Sequence, residues 1–251
     1  MAQVQAAVEP DLLYPLLRGR DVKRWHAEPS AYIIMVQDPI KRRGIDESLM
    51  KTKYPKTYLY LKRFEKVLRD RAAFKRYFTR KDKYGNIYET GPFYSMFDVG
   101  DYTFAPYKVV WTRISLIEAA VVIKIADKTV VPQETVSLAP FQNEEEAHYF
   151  CAFINSLPFQ FACASYSQFG GKSMGSPHIL DNVRVPKFDL NNKFHLRIAE
   201  LSKITHDLAK SGEEERLKKI EEEIDELAAQ IWGLTKEELR EIKLSLEELM
   251  A

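Results

Sequence analysis

A chain of 251 residues with 45% hydrophobic and 29% charged residues can bury a sizeable core, as one large domain or as one domain with an appendage. No run of 18 or more apolar residues occurs, which excludes a transmembrane helix, and MAQVQAAVEP lacks the basic and apolar regions of a signal peptide. The net charge of +1 hides a segregation: Lys41 to Tyr84 holds sixteen Lys and Arg against five Asp and Glu, whereas Glu213 to Ala251 holds thirteen acids against six bases. The first stretch suits a polyanion or simply a solvated helix surface, and the second does not suit a polyanion.

In chain order, LLYPLLRGRDVKRW (12–25) joins an apolar opening to a basic loop, where Pro15 and Gly19 break any long helix. AYIIMVQ (31–37) is predicted as a buried strand closed by Asp38-Pro39. A helix is predicted from Tyr54. Pro55 suits its first turn, and Leu61, Phe64, Leu68 and Ala72 recur at helical spacing. Its other face carries Lys62, Arg63, Lys66, Arg69 and Arg71. DKYGN (82–86) is a turn. KVVWTRIS (108–115) and AAVVIKIA (119–126) are strand signals, with ADK turning the chain into TVV, and they suggest a mixed or antiparallel meander.

Asn143 with Glu146 marks the cap of a helix whose apolar side holds Ala147, Phe150, Cys151 and Ile154. FACASYSQF has the look of a helix end, and NVRVPKF (182–188) of a short strand stopped by Pro186. Then Phe194, Ile198, Leu201, Ile204 and Leu208 repeat at three- and four-residue steps, as do Leu217, Ile220, Ile224, Leu227 and Ile231. Breaks at Ser211-Gly212 and Gly233 make this a helical hairpin or short coiled-coil arm, and Thr235 with Glu238 caps a last helix. Cys151 and Cys163 lie in apolar helical contexts, so buried free thiols in a reducing, cytoplasmic compartment are expected.

FGGKSMGSPH (169–178) resembles the end of a phosphate-binding loop. The P-loop spacing places Tyr166 where its first glycine belongs, and Pro177 opposes a helix starting just after Ser173. A plain glycine turn, or a loop whose backbone approaches a ligand closely, remains. The sequence contains no G-x-S-x-G, H-E-x-x-H or G-x-G-x-x-G. Asp11, Asp21 and Lys23 form a loose pattern for a divalent-cation nuclease, with a charged loop as the alternative. No Cys/His spacing suits zinc. Arg20, Lys23, Arg24, Arg42, Arg43 and Lys172 fall in loops, from which extended side chains reach groove edges. The Tyr and Phe residues of 84–107 suit base stacking or a core.

LLYPLLRGRDVKRW, YPKTYLYLKRFEKVLRDR, FYSMFDVGDYTFAPYKVVW, VVPQETVSLAPF, EEEAHYFCAFINS and GGKSMGSPHILDNVRVPKF follow one another in this order, ahead of an IWGLTKEEL stretch. In that order the chain resembles the C-terminal specificity region of TaqI-like adenine-specific DNA methyltransferases, and the related regions of type IIG restriction–modification enzymes. The resemblance spans residues 12 to 245. It implies a mixed α/β (α+β) target recognition domain over residues 1–190, with a twisted mixed or antiparallel sheet and packing helices. A helical arm over residues 191–251 would follow. It also implies sequence-specific binding of double-stranded DNA through Arg18, Arg20, Lys23, Arg24, Arg42, Arg43, Lys172 and Ser173, with Arg63, Lys66 and Arg69 on the basic helix. The N-P-P-[YF] tetrapeptide and the F-x-G-x-G loop of that family do not occur in this sequence. Catalytic residues and S-adenosylmethionine are therefore expected in a separate methyltransferase domain or subunit, and no cofactor or metal in this chain. The competing expectations are a metal-dependent nuclease, an RNA binder, and an assembly module that works through its acidic helices without binding DNA.

Overall fold

The computed structural model describes residues 4–113, 116–166, 175 and 177–250. In chain order the strands and helices are β1 (Leu13–Leu17), β2 (Val22–Lys23), β3 (His26–Ala27), β4 (Ala31–Ile34), β5 (Gln37–Asp38), β6 (Arg43–Gly44), α1 (Glu47–Lys53), α2 (Pro55–Lys62), α3 (Glu65–Asp70), α4 (Ala72–Tyr77), β7 (Thr79–Lys81) and β8 (Ile87–Glu89). They continue with β9 (Tyr107–Thr112), β10 (Ala119–Val122), β11 (Val131–Pro132), β12 (Val136–Phe141), α5 (Glu144–Asn155), α6 (Leu157–Tyr166), α7 (Pro177–Leu180), α8 (Lys193–Ser211), α9 (Glu214–Ile231) and α10 (Lys236–Met250). The fold is mixed α+β, as expected, with several small sheets. It divides into two compact units: Met1–Pro15 with Tyr32–Phe104, and Leu16–Ala31 with Ala105–Ala251. The boundary expected between residues 190 and 191 falls inside the second unit.

The first unit is built on Leu12, Val36, Met50, Tyr58, Phe93 and Tyr94. Pro55 opens α2, and the Glu9 carboxylate accepts the Lys56 and Thr57 amide N–H groups at 2.9 and 2.8 Å. A side chain far upstream thus caps this helix. The single helix predicted from Tyr54 is three short ones. The break before α4 is at Arg71, whose backbone is extended. Its guanidinium turns inward to the Leu68, Phe93 and Ser95 carbonyl oxygens, at 2.8, 3.2 and 2.9 Å. Satisfying three carbonyls outweighs continuing the helix. AYIIMVQ also departs from expectation. Tyr32 within β4 is 70% exposed, and the buried residues are Met35, Val36 and Gln37. Pairing resumes where Gln37 and Asp38 face Gly44 and Arg43. The DKYGN turn forms: Asp82 accepts the Tyr84 and Asn86 N–H groups, Gly85 takes φ +88°, and β7 pairs antiparallel with β8.

In the second unit β9 lies between β10 and β12, antiparallel to both, and β11 runs parallel to the end of β1. The antiparallel sheet is therefore present but is not the expected meander: β12, a strand the sequence pattern did not mark, pairs with β9 and not with β10, and the TVV segment ends in β11 beside β1. The ADK turn is the tight Ile125–Lys128 turn, with Ala126 and Asp127 both at positive φ. Asn143 caps α5 by accepting the Glu146 N–H at 2.8 Å. NVRVPKF is not a strand. Among the described residues it has no pairing partner. It is held by its side chains instead: Val183, Val185 and Phe188 pack on the core, and the Tyr149 hydroxyl donates to the Pro186 carbonyl. Both cysteines are buried and free.

The two helical repeats are α8 and α9, separated by Gly212 at φ +77°. Thr235 and Glu238 make the expected capping box for α10. Ile198, Leu201 and Ile224 belong to the same core cluster as Trp25, Val109 and Phe153, and Leu217, Ile220, Leu227 and Ile231 pack against it. The apolar stripes are thus consumed within this unit.

The joint of the second unit is Ala119. Its N–H donates to Asn155 Oδ1, and its carbonyl accepts from both Asn155 Nδ2 and the Trp25 N–H, each at 2.9 Å. Asn155 is fully buried at the end of α5. Gln160 of α6 repeats the arrangement at Ile117, which donates its N–H to Oε1 and accepts from Nε2. Two side-chain amides thus take the place of a further strand. Trp25 sits in the β2–β3 turn at φ +63°, a costly conformation for a bulky residue, and is 1% exposed. Asn155→Leu keeps the volume and orphans the Ala119 N–H. It is expected to cost about 1–3 kcal/mol, seen as a lower urea midpoint at unchanged slope.

Candidate functional site

The basic residues named from the sequence fall into three groups. Arg18, Arg20, Lys23 and Arg24 belong to the second unit. Arg42, Arg43, Arg63, Lys66 and Arg69 belong to the first. Lys172 and Ser173 lie outside the described residues. Close by, Gly175 is the glycine that packing demands. A Cβ there would lie 2.2 Å from the Thr112 carbonyl oxygen, and the Gly175 carbonyl accepts from Trp111 Nε1 at 2.9 Å.

In the 18–24 loop, local bonds decide which cations are free. The Arg18 N–H and the Ser30 hydroxyl both donate to Asp21 Oδ2 at 2.8 Å. Burial acts to raise the Asp21 carboxyl, but these hydrogen bonds hold it below its ordinary value. Arg20 keeps a side chain 71% exposed, with Nε 3.8 Å from Asp21, and Lys23 is exposed. Arg24 is differently used. Its Nε donates to Glu221 of α9, which also accepts Trp25 Nε1 at 2.6 Å, and its guanidinium lies 5.6 Å from the Trp25 ring centroid. Arg24 is therefore tied to the core, and Lys23 and Arg20 are the available heads of this loop. Of the nuclease pattern, Asp21 is engaged as a local cap. Among the described residues no group of three or more His, Cys, Asp or Glu is placed to hold a metal ion.

The first unit carries sixteen Lys and Arg against eleven Asp and Glu, a net of +5, whereas the second is at −4. Ion pairs sort its cations. Glu65 takes Lys62 at 2.6 Å and Arg69 at 2.8 Å, and Arg69 also meets Glu89 while lying 5.6 Å from the Phe93 ring centroid. Asp46 takes Arg43 at 2.6 Å and Lys41 at 2.8 Å. Arg42, Arg63 and Lys66 are exposed, with no acidic partner among the described residues. The basic helix thus presents Arg63 and Lys66 to solvent and pins Lys62 and Arg69 beside them.

The aromatic stretch divides between core and surface. Phe93 and Tyr94 are core. Tyr84 and Tyr88 of the β7–β8 hairpin are 77% and 52% exposed, and Lys83 Nζ lies 4.9 Å from the Tyr84 ring centroid. An Asp-capped tight turn therefore displays aromatic rings next to basic side chains, a combination suited to stacking on bases beside phosphates.

An open pocket of about 220 Å³ also belongs to the first unit, and Gln37, Arg42, Tyr77, Phe97, Asp98 and Tyr102 line it. Tyr77 and Phe97 stack at 3.9 Å with 13° between their planes. The Tyr102 hydroxyl donates to Asp98 Oδ1 at 2.6 Å; burial first, then this bond, pushes the phenol above its ordinary value, so it stays a donor. Arg42 and Asp98 both have left-handed backbones, at φ +51° and +56°. Sequence reasoning singled out Arg42, and Phe97 and Tyr102 among the aromatic residues of 84–107, but did not join them to Gln37, Tyr77 and Asp98, because no motif links these positions.

These assignments separate two kinds of arginine. Arg24→Ala is expected to lower stability by about 1–3 kcal/mol, since it leaves Glu221 half-paired in a partly buried position. Arg63→Ala and Lys66→Ala are expected to stay within about 0.5 kcal/mol of the parent. Chemical denaturation of the three variants checks both.

No protein-family model matches the chain. The chain is similar to the Type II methyltransferase M.NspV of Nostoc sp. (strain ATCC 29411 / PCC 7524), with 31% identity over 150 residues. The matched stretch is 59% of this chain and 28% of the length of that protein. Over that stretch, then, the chain is related to a Type II methyltransferase.

Proposed function

We propose that this chain is the DNA-specificity part of a restriction–modification system, binding double-stranded DNA for an N6-adenine methyltransferase. The observation that carries the reading is the unbalanced positive charge of the first unit, which exposes Arg42, Arg63 and Lys66 without an acidic partner among the described residues and also exposes the aromatic hairpin residues Tyr84 and Tyr88. The likeness to a Type II methyltransferase supplies the context. Unpaired cations neutralise phosphates and release counterions whatever the sequence. Arginine heads on loops, as at Arg20 and Arg42, add bidentate readout of guanine edges.

Catalysis and S-adenosylmethionine binding belong, in this reading, to another domain or subunit. The sequence contains neither N-P-P-[YF] nor F-x-G-x-G, so its residues do not fit that cofactor and methylation by this chain alone is not expected. No helix among the described residues is long and apolar enough to cross a membrane. A cytoplasmic place, where the DNA is, accords with this reading. The assembly alternative is disfavoured because the apolar stripes of α8 and α9 already pack on the core of the second unit, with Ile198, Leu201 and Ile224 buried and Leu217, Ile220, Leu227 and Ile231 partly so.

The test is a duplex titration of the purified chain at two salt concentrations, followed by random-sequence selection of the bound pool. Binding is expected to weaken with salt and to enrich a motif. Replacing both Arg63 and Lys66 by Ala is expected to make the slope of log K against log salt shallower by about two, equally on all sequences. No binding at low salt contradicts the proposal.

A further inference from the structure

We propose that the pocket formed by Gln37, Arg42, Phe97, Asp98 and Tyr102 holds one unstacked guanine base. A volume of about 220 Å³ is below the roughly 300–1,000 Å³ of drug-sized sites, so it suits a single ring system. Phe97 is 48% exposed although it stacks on Tyr77, so that aromatic pair forms a braced platform on which another planar ring stacks.

The polar groups choose among rings of that shape. An ionised carboxylate only accepts hydrogen bonds. Asp98 gives part of that capacity to the Tyr102 hydroxyl and retains its second oxygen. The Watson–Crick edge of guanine offers two adjacent donors, N1–H and the N2 amino group. Adenine and cytosine each place a ring-nitrogen acceptor on the same edge, which a carboxylate repels. Gln37 supplies the complementary donors. It is 4% exposed, and its Oε1 accepts the Met96 N–H at 2.8 Å. Its amide nitrogen makes no hydrogen bond among the described residues and, since none of their fully buried side-chain nitrogens or oxygens lacks a partner, it keeps access to solvent, where it suits a base carbonyl or ring nitrogen. Arg42 adds a cation that pairs with O6 and N7 of guanine. Arg42 and Asp98 hold left-handed backbones that most residues avoid, and such strain collects at binding sites.

The inference rests on the duplex-binding reading only for the source of the base, which is either an extruded DNA nucleotide or a free guanine nucleotide. The full chain is titrated with dGMP, dAMP and dCMP, which share one phosphate charge. It is also titrated with a duplex carrying one unpaired guanine and with its fully paired parent. Guanine preference of about tenfold or more is expected, either for dGMP over the other mononucleotides or for the unpaired-guanine duplex over its parent. Asp98→Asn, which tolerates the left-handed backbone, is expected to abolish that preference and leave binding to the paired duplex unchanged. Preference only in the duplex arm assigns the base to DNA, and preference for dGMP alone assigns it to a free nucleotide. Equal binding of the three mononucleotides, together with equal binding of the two duplexes, overturns the pocket while leaving the duplex reading intact. Failure of all duplex binding sinks the duplex reading, and the dGMP arm then decides the pocket by itself.

Discussion

Three elements of the second unit meet at the backbone of one alanine. Ala119 belongs to β10, accepts the Trp25 N–H from the β2–β3 turn, and exchanges two hydrogen bonds with the Asn155 amide at the end of α5. A sheet of three strands has edges, and an edge next to apolar helices must find polar partners. Here Asn155 supplies them at Ala119 and Gln160 at Ile117. That constraint seats α5 on the sheet and ties α6 to the segment just before β10. It also holds Trp25 in a backbone region it would otherwise avoid, and so places Arg24 against Glu221.

Positive charge is consequently of two kinds in this protein. Arg24 and Arg71 work inward, one on Glu221 and the other on three carbonyl oxygens, and each stabilises a break or turn in the chain. Arg20, Lys23, Arg42, Arg63 and Lys66 keep exposed heads. The net positive charge lies in the first unit, and the acidic α9 and α10 give the second unit the opposite sign. A polyanion is drawn to the one and repelled by the other at ranges up to the screening length.

What was legible in the sequence was local. The Asn143 cap, the Thr235–Glu238 box, the DKYGN turn and the breaks at Gly212 and Gly233 depend on residues a few positions apart, and all are present. The apolar periodicity of α8 and α9 marked their buried sides, because a stripe at helical spacing must face a core. The rest depends on distant partners. Arg24 has the pattern of a loop cation, and only Glu221, 197 residues away, shows its use. The unbroken periodicity from Leu61 to Ala72 concealed the end of α3, because the carbonyls that capture Arg71 belong to residues 93 and 95. NVRVPKF has strand composition but meets side chains instead of a ladder. The pocket as a whole was invisible because its lining comes from three separate stretches of chain, residues 37–42, 77–78 and 96–102.

On the proposed reading the first unit makes the main contact with DNA, and Arg20 of the second unit adds to it. Hydrogen–deuterium exchange of the full chain, measured with and without saturating duplex at low salt, tests it directly. The account predicts that duplex slows exchange in residues 55–70 and 79–89 and leaves α9 and α10 unchanged. Saturable duplex binding that instead protects α9 and α10, with no change in the first unit, would contradict it.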